Sequence, residues 1–232
     1  MISIKKLTKK YPLDEKIILD NVSLEIKEFE FIILIGESGS GKTTLLKMMS
    51  GVEKPTSGEV EIGEKVSQVF QSGALFPWMS IYDNVALPLK LKKLSETKIK
   101  KSVNLALKEV ELENFKDKLP REVSGGQRQR VGIARALAYE TPIILMDEPF
   151  SALDVKTTEE LHKIILDLWQ KRHLTIVMIS HSLEEAVHLG QKIVLVKDSK
   201  IHKTFENQLP YPRDETSIEF LNLINKIKNE LR

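Results

Sequence analysis

Residues Gly36-Glu37-Ser38-Gly39-Ser40-Gly41-Lys42-Thr43 set glycines, a lysine and a hydroxyl side chain at the spacing Gly-x4-Gly-Lys-Thr, a pattern suited to phosphate. Glycines let successive backbone N–H groups turn inward around an anion, and a helix starting at their end adds its positive pole. In that arrangement Lys42 bridges β- and γ-phosphates and Thr43 ligates Mg²⁺, with Thr44 completing the expected binding loop. A second constellation is Ile143-Ile144-Leu145-Met146-Asp147-Glu148, four apolar residues followed by two carboxylates. An apolar strand with this ending presents both acids at its carboxyl end, where the crevices of α/β sheets bind ligands. Neighbouring strand residues point to opposite sides, so the two acids have different tasks. Asp147 suits a metal shell. Glu148 suits orienting or deprotonating an attacking water, a general-base role typically contributing about 10² to 10⁴ in rate.

Such residues need a scaffold, and the hydrophobic pattern describes one. Residues 29–35 are apolar apart from Glu30, a run that marks a strand buried on both faces, and they lead into the glycine loop. A helix over residues 42–49 follows, with Gly51 as its cap. Residues 1–28 alternate apolar and polar positions around turn signals at Tyr11-Pro12 and Asp20-Asn21, which predicts antiparallel strands. Residues 59–62 and 66–71 predict a hairpin across Gly63, Glu64 and Lys65. Residues 80–110 read as helical, with Ile99, Val103, Leu107 and Val110 on one face. A helical segment from Arg130 leads to a strand at 143–146; Leu161, Ile164, Ile165, Leu168 and Trp169 mark another amphipathic helix, and residues 175–179 a third buried strand. Ser182 and Glu185 form a capping-box pattern that starts a helix just after His181. Residues 193–196 close the strand series, and Phe220, Ile224, Ile227 and Leu231 define a terminal helix. Strands alternating with helices predict an α/β fold: a P-loop core with a mainly parallel sheet, N-terminal antiparallel β strands and an inserted helical subdomain at about 76–123, within one domain over 1–232.

Composition narrows the function classes. Lys plus Arg number 35 against 33 for Asp plus Glu, and a net charge of +2 argues against a nucleic-acid surface held by bulk electrostatics. No apolar run approaches the roughly 18 to 20 residues of a membrane-spanning helix. A membrane partner would therefore be recognised by contacts. The start at Met1-Ile2-Ser3-Ile4-Lys5 has no apolar signal core and the chain has no cysteine, so the expectation is a cytoplasmic location.

Val123-Ser124-Gly125-Gly126-Gln127-Arg128-Gln129-Arg130 precedes the Asp147-Glu148 strand at short range. With this segment in place, the chain resembles the ABC ATPase family over essentially its whole length. The family signature, commonly Leu-Ser-Gly-Gly-Gln, is matched at Ser124, Gly125, Gly126 and Gln127, with Val123 in place of the leucine. Further family positions fall in order: Tyr11, Gln71 after a strand, Ser151-Ala152-Leu153-Asp154 after Glu148, and His181 at a strand end. The resemblance implies that Tyr11 stacks on adenine and that Gln71 approaches Mg²⁺ and the attacking water. It implies that His181 contacts the γ-phosphate and holds Glu148, and that Asp154 crosses to a partner subunit. ATP and Mg²⁺ are the implied cofactors. Thr43, Gln71 and Asp147 are the implied metal set, and Glu148, His181, Gln71 and Lys42 the catalytic set. The family also implies a head-to-tail homodimer in which Ser124 and Gly126, with Gln127 beside them, complete the ATP site of the other copy.

Within the family, Leu75-Phe76-Pro77-Trp78-Met79-Ser80 with Asp83-Asn84-Val85, and Leu209-Pro210-Tyr211-Pro212-Arg213-Asp214 with Ser217, Glu219 and Phe220, look like importers of nitrate, sulfonate or taurine. That resemblance implies a separate membrane permease as partner, an extracellular solute-binding protein acting through it, and a place on the inner face of the plasma membrane. Residues 57–71 depart from the pattern, since related subunits carry several more residues before the glutamine loop. Gln71-Ser72-Gly73-Ala74-Leu75-Phe76 is also similar to lipid-trafficking ABC ATPases, so an envelope lipid or export system stays open as an alternative. A soluble ABC ATPase acting on DNA, ribosomes or cofactor assembly would need tandem cassettes, zinc insertions or basic arms, which the sequence lacks. The apolar tetrad Phe76, Pro77, Trp78 and Met79 reads as a docking surface for a permease helix, since exposed apolar patches mark partners, with burial against the helical lobe as the alternative.

Overall fold

The structure is a computed structural model that describes residues 1–11 and 16–231. In chain order the strands are β1 (Ile2–Lys10), β2 (Ile17–Ile26), β3 (Phe31–Ile35), β4 (Ser57–Ile62), β5 (Val66–Val69), β6 (Ile143–Asp147), β7 (Thr175–Ile179), β8 (Lys192–Lys197) and β9 (Lys200–Glu206). The helices are α1 (Lys42–Met49), α2 (Ile81–Leu91), α3 (Glu96–Glu109), α4 (Gly125–Ala138), α5 (Val155–Arg172), α6 (Leu183–Leu189) and α7 (Ile218–Leu231). No described helix is long and apolar enough to cross a membrane. The chain divides into two compact units, Met1–Lys65 with Leu174–Arg232, and Val66–His173.

In the first unit β1 pairs antiparallel with β2 and with β4, so that Ile2 lies opposite both Ile26 and Ile62. Alternation drives this pairing: Ile2, Ile4 and Leu7 of β1 and Leu19, Val22, Leu24 and Ile26 of β2 are buried while their neighbours face out. The Asp20-Asn21 turn signal is a kink inside β2, with Asn21 at φ 50°, and not a chain reversal. Pro12 of the other turn signal lies outside the described residues. β3 runs parallel to both β7 and β8, and its five residues are at most 2% exposed, as expected for a strand covered on both faces. It begins at Phe31. Phe29 is outside the strand, half exposed, at φ 63°.

α1 ends in a Schellman turn, Gly51 N–H on the Met48 carbonyl at 3.1 Å and Val52 N–H on that of Lys47 at 3.0 Å, with Gly51 at φ 74°. The strand series runs one strand beyond expectation, because β9 turns back antiparallel onto β8. Its two-residue turn puts Asp198 and Ser199 at φ 49° and 64° without a glycine, and among its seven residues only Phe205 is fully buried. Neither the usual hairpin dipeptide nor a clean alternation advertised it.

In the second unit β5 lies parallel to β6, Val66 opposite Ile143 and Val69 opposite Met146. The hairpin expected across residues 63–65 is therefore absent: β4 pairs with β1 and β5 with β6. The chain between β5 and β6 holds α2, α3 and α4. The serines set the helix starts, Ser80 Oγ accepting from Asp83 N at 3.0 Å and Ser95 Oγ from Lys98 N at 3.4 Å. They also split the expected helix over 80–110 in two, with Lys93 at φ 55° in the break. Ile99, Val103 and Leu107 of α3, with Val110 at its end, are buried as a stripe, and Leu161, Ile165, Leu168 and Trp169 do the same for α5. α4 starts at Gly125, five residues before the expected Arg130, since adjacent glycines at 125 and 126 conceal a helix that its cap specifies. The result is an α/β fold with a mainly parallel core, antiparallel N-terminal strands and a helical insertion.

Candidate functional site

The phosphate loop belongs to the first unit, where it joins β3 to α1. Gly36 sits at φ 145°, and a Cβ there would fall 2.0 Å from the Val196 carbonyl oxygen of β8, so only glycine lets the strand turn at that point. Lys42 is 4% exposed, and its ammonium donates to the carbonyls of Gly36 at 2.8 Å and Glu37 at 2.7 Å, curling the loop around itself. Among the described residues no side chain caps the α1 N-terminus at Gly41. Glu37, Ser38, Gly39 and Thr43 are exposed, Ser40 is buried and Thr44 half-buried. This set fits a polyphosphate: a glycine-rich loop at a helix start, a fixed cation and an exposed hydroxyl for a hard metal ion.

Two further expected residues lie in the same unit. Tyr11 follows β1, and its hydroxyl donates to Glu53 Oε2 at 2.6 Å, with Lys9 Nζ 4.8 Å from the ring centroid. The Glu53 hydrogen bond, and then burial, hold the phenol above its usual pKa, while the same bond holds Glu53 below the carboxylate range. His181 emerges exposed from β7, in register with the loop: Ile179 lies opposite Leu34, and Ser180 N–H bonds to the Leu34 carbonyl at 3.2 Å. The helix after it is fixed at both ends. Ser182 Oγ accepts from Glu185 N at 3.0 Å, and buried Arg213 donates through Nη1 to the carbonyls of Val187 and Gly190 at 2.7 and 2.8 Å. The tyrosine beside it, Tyr211, has its pKa pushed up to about 12 by burial and stays a donor to the Leu189 carbonyl.

Gln71, Asp147 and Glu148 are brought together in the second unit. The parallel register of β5 and β6 makes Gln71 and Glu148 leave adjacent strands at the same level. Gln71 Nε2 donates to Ser151 Oγ at 3.0 Å, and Ser151 Oγ donates to the Glu148 carbonyl at 3.1 Å. Glu148 has φ 47°, a left-handed conformation that is strained for a non-glycine residue and typical of functional positions.

The signature residues form a helix start in this unit. Ser124 Oγ accepts from Gln127 N at 3.2 Å while Gln127 Oε1 accepts from Ser124 N at 2.9 Å, a reciprocal capping box. Asp154 is the N-cap of α5, accepting from Thr157 N at 3.0 Å and Thr157 Oγ1 at 2.7 Å, and these bonds hold its carboxyl below the usual range. The two helix starts touch at Gly126, where a Cβ would fall 2.2 Å from Thr157 Cγ2.

Between them the two units hold every expected site residue, Tyr11, the phosphate loop and His181 in the first and the others in the second. Sequence reasoning missed the supports: Glu53 under Tyr11, Ser151 between Gln71 and Glu148, and Arg213 on α6. Glu53, Ser151 and Arg213 lie 42, 80 and 26 residues from Tyr11, Gln71 and Val187, so no local pattern states these contacts, although Ser151 and Arg213 stand in the family motifs at 151–154 and 209–214.

The tetrad loop is settled by exposure. Trp78 is 74% exposed and meets Phe76 edge-on at 5.6 Å. Fully buried Asn84 holds this loop, accepting from Phe76 N at 2.8 Å and donating to the carbonyls of Met79 and Ser80 at 3.1 and 2.9 Å. The indole is therefore presented to the outside and is not a core residue.

A loop built for phosphate at the end of a parallel strand makes the chain a P-loop nucleotide-binding protein. The capped helix start at Ser124 is the addition that separates ATP-binding cassettes from other proteins of that kind. A family profile described as ABC transporter matches residues 19–151, and the chain belongs to that family, whose members hydrolyse ATP to power transport. It is 38% identical over 221 residues to the aliphatic sulfonates import ATP-binding protein SsuB of Bacillus cereus, covering 90% of this chain and 86% of that one. It is 40% identical over 220 residues to the nitrate import ATP-binding protein NrtD of Synechocystis, covering 91% and 82%. Among solved structures it is similar to the dimeric post-hydrolysis state of the ATP-binding cassette MJ0796 bound to ADP and Pi. The TM-score is 0.81 at 37% identity, over 90% of this chain and 99% of that one.

Proposed function

We propose that this chain is the ATP-hydrolysing subunit of an importer for small oxyanionic solutes of the nitrate, sulfonate or taurine kind. The observation that carries the ATPase reading is the Lys42 ammonium, buried within a loop of carbonyls and N–H groups beneath a helix start without a side-chain cap. A cation stored there serves an anion. The import reading rests on the names of the sulfonate and nitrate relatives.

In this reading Lys42 and the N–H groups of residues 36–44 hold the phosphates, and Tyr11 stacks on adenine. Thr43, Gln71 and Asp147 hold Mg²⁺, which when bound neutralises charge on the transferring phosphoryl group. Glu148 takes the proton of the attacking water, and His181 contacts the γ-phosphate and holds Glu148 in place. Ser124, Gly126, Gln127 and Asp154 act across a homodimer on the ATP of the other copy. The chain works as one ABC ATPase domain with a helical subdomain at about 76–123. Trp78 and Phe76 dock a helix of a membrane permease on the inner face of the plasma membrane, and an extracellular solute-binding protein delivers the solute.

The test is a heterodimer of a Lys42→Ala chain with a Ser124→Phe chain, purified on two tags. Shared sites put both lesions in one site and leave the other whole, so this heterodimer hydrolyses ATP while both mutant homodimers are silent. A wild-type chain paired with the double mutant then carries one lesion per site. Activity in that second heterodimer, with silence in the first, would overturn the shared-site reading.

A further inference from the structure

We infer that Arg135 is a positioning residue for Gln71, acting through the backbone of the loop that follows β5; this rests on reading Gln71 as a ligand of Mg²⁺ and of the attacking water. The Arg135 guanidinium donates through Nη2 to the Gly73 carbonyl at 2.6 Å and through Nη1 to the Ala74 carbonyl at 2.8 Å. Six residues earlier on α4, Gln129 is 2% exposed and donates through Nε2 to the Phe70 carbonyl at 3.2 Å. Between them Gly132 approaches so closely that a Cβ there would lie 3.2 Å from Gly73 Cα. Spacing of three residues puts Gln129, Gly132 and Arg135 along one stripe of the helix. That stripe grips residues 70, 73 and 74, on either side of Gln71.

The loop would not hold this shape unaided. Gly73 and Ala74 have φ 71° and 44°, consecutive left-handed residues, and the second carries a Cβ. Their carbonyls converge on a single planar fork, a geometry that guanidinium matches and ammonium does not. Gln71 itself is exposed. Its amide nevertheless reaches Ser151, and through Ser151 the backbone of Glu148. The grip of α4 on both flanks of Gln71 sets where that amide starts from. Because α4 begins at the Ser124 capping box, the helix that presents the signature residues is the same one that aims Gln71.

The experiment is a double-mutant cycle on the purified full-length chain, reading kcat, KM for ATP and the calorimetric Kd of ATP. Arg135→Gln is expected to lower kcat at least about tenfold while KM and Kd change by less than about twofold, with Arg135→Lys falling between it and wild type. In a Gln71→Ala background, Arg135→Gln should lower kcat by less than about twofold further. An equal fold loss in both backgrounds, or weakened ATP binding with kcat preserved, overturns the inference. Wild-type turnover in Gln71→Ala alone would instead sink the reading of Gln71, and the inference with it. Should Arg135→Gln not fold, the cycle is run with Arg135→Lys, for which the same comparison of backgrounds decides.

Discussion

Replacing Gly126 by alanine sets two effects of known sign against each other. The new Cβ would sit 2.2 Å from Thr157 Cγ2, far inside contact distance. Thr157 cannot swing away cheaply, because its hydroxyl is bonded to Asp154 Oδ2 at 2.7 Å and its N–H to Oδ1 at 3.0 Å. Overpacking of this kind typically costs about 1–3 kcal/mol. Alanine in place of glycine within a helix returns up to about 1 kcal/mol, and less in the first turn, where Gly126 lies. The net expectation is a loss of roughly 0.5–2.5 kcal/mol. At about 2–4 °C per kcal/mol for a chain of this size, the melting temperature falls by roughly 1–10 °C. The sharper quantity is the coupling with Thr157→Ser, which deletes the colliding methyl and keeps the hydroxyl that binds Asp154. Urea unfolding of the single and double variants should give a favourable coupling of about 1–3 kcal/mol. A coupling below about 0.5 kcal/mol would refute the close packing of the α4 and α5 starts on which the reasoning stands.

Glu148→Gln should leave ATP binding intact and slow turnover by about 10² or more, the range of a lost general base, with an ATP-bound dimer accumulating on size exclusion; near-normal turnover would remove Glu148 from that role. Lys42→Ala should weaken ATP binding by about ten- to a hundredfold in calorimetry, as expected for a lost charge-assisted hydrogen bond of about 1.5–3 kcal/mol, and an unchanged Kd would contradict its assignment. Trp78→Ala should reduce permease association or transport more than it reduces the ATPase activity of the isolated subunit. Since Trp78 is exposed, its melting temperature should move by about 1–2 °C at most, the effect of a surface substitution within ±0.5 kcal/mol, and a larger fall would make it a packing residue.

The phosphate loop is contiguous, so its chemistry and its strand-to-helix setting were legible from residues 29–49 alone. Burial periodicity gave the apolar faces of α3 and α5 and the core strands β3, β6 and β7, and Ser182 marked the start of α6. These depend on neighbours within a turn or two of the chain, and local sequence encodes them. Strand partnership does not work that way. Residues 66–69 pair with 143–146 across a helical insertion, so a pattern that looked like a hairpin with β4 became a parallel ladder with β6. β9 was hidden for a related reason: an edge strand buries little, and its left-handed turn at Asp198 and Ser199 holds no glycine. The same distance separates a catalytic residue type from its placement. Residue type and order named Gln71 and Glu148, but only the β5–β6 register aligns them, Ser151 links them, and Arg135 holds the loop that carries one of them. Likewise, four apolar residues at 76–79 could have been core or surface, and only the hydrogen bonds of buried Asn84 turn Trp78 outward. Sequence fixes what a side chain can do because that is its covalent chemistry; where it does it depends on contacts between segments far apart in the chain, which exist only once the chain has folded.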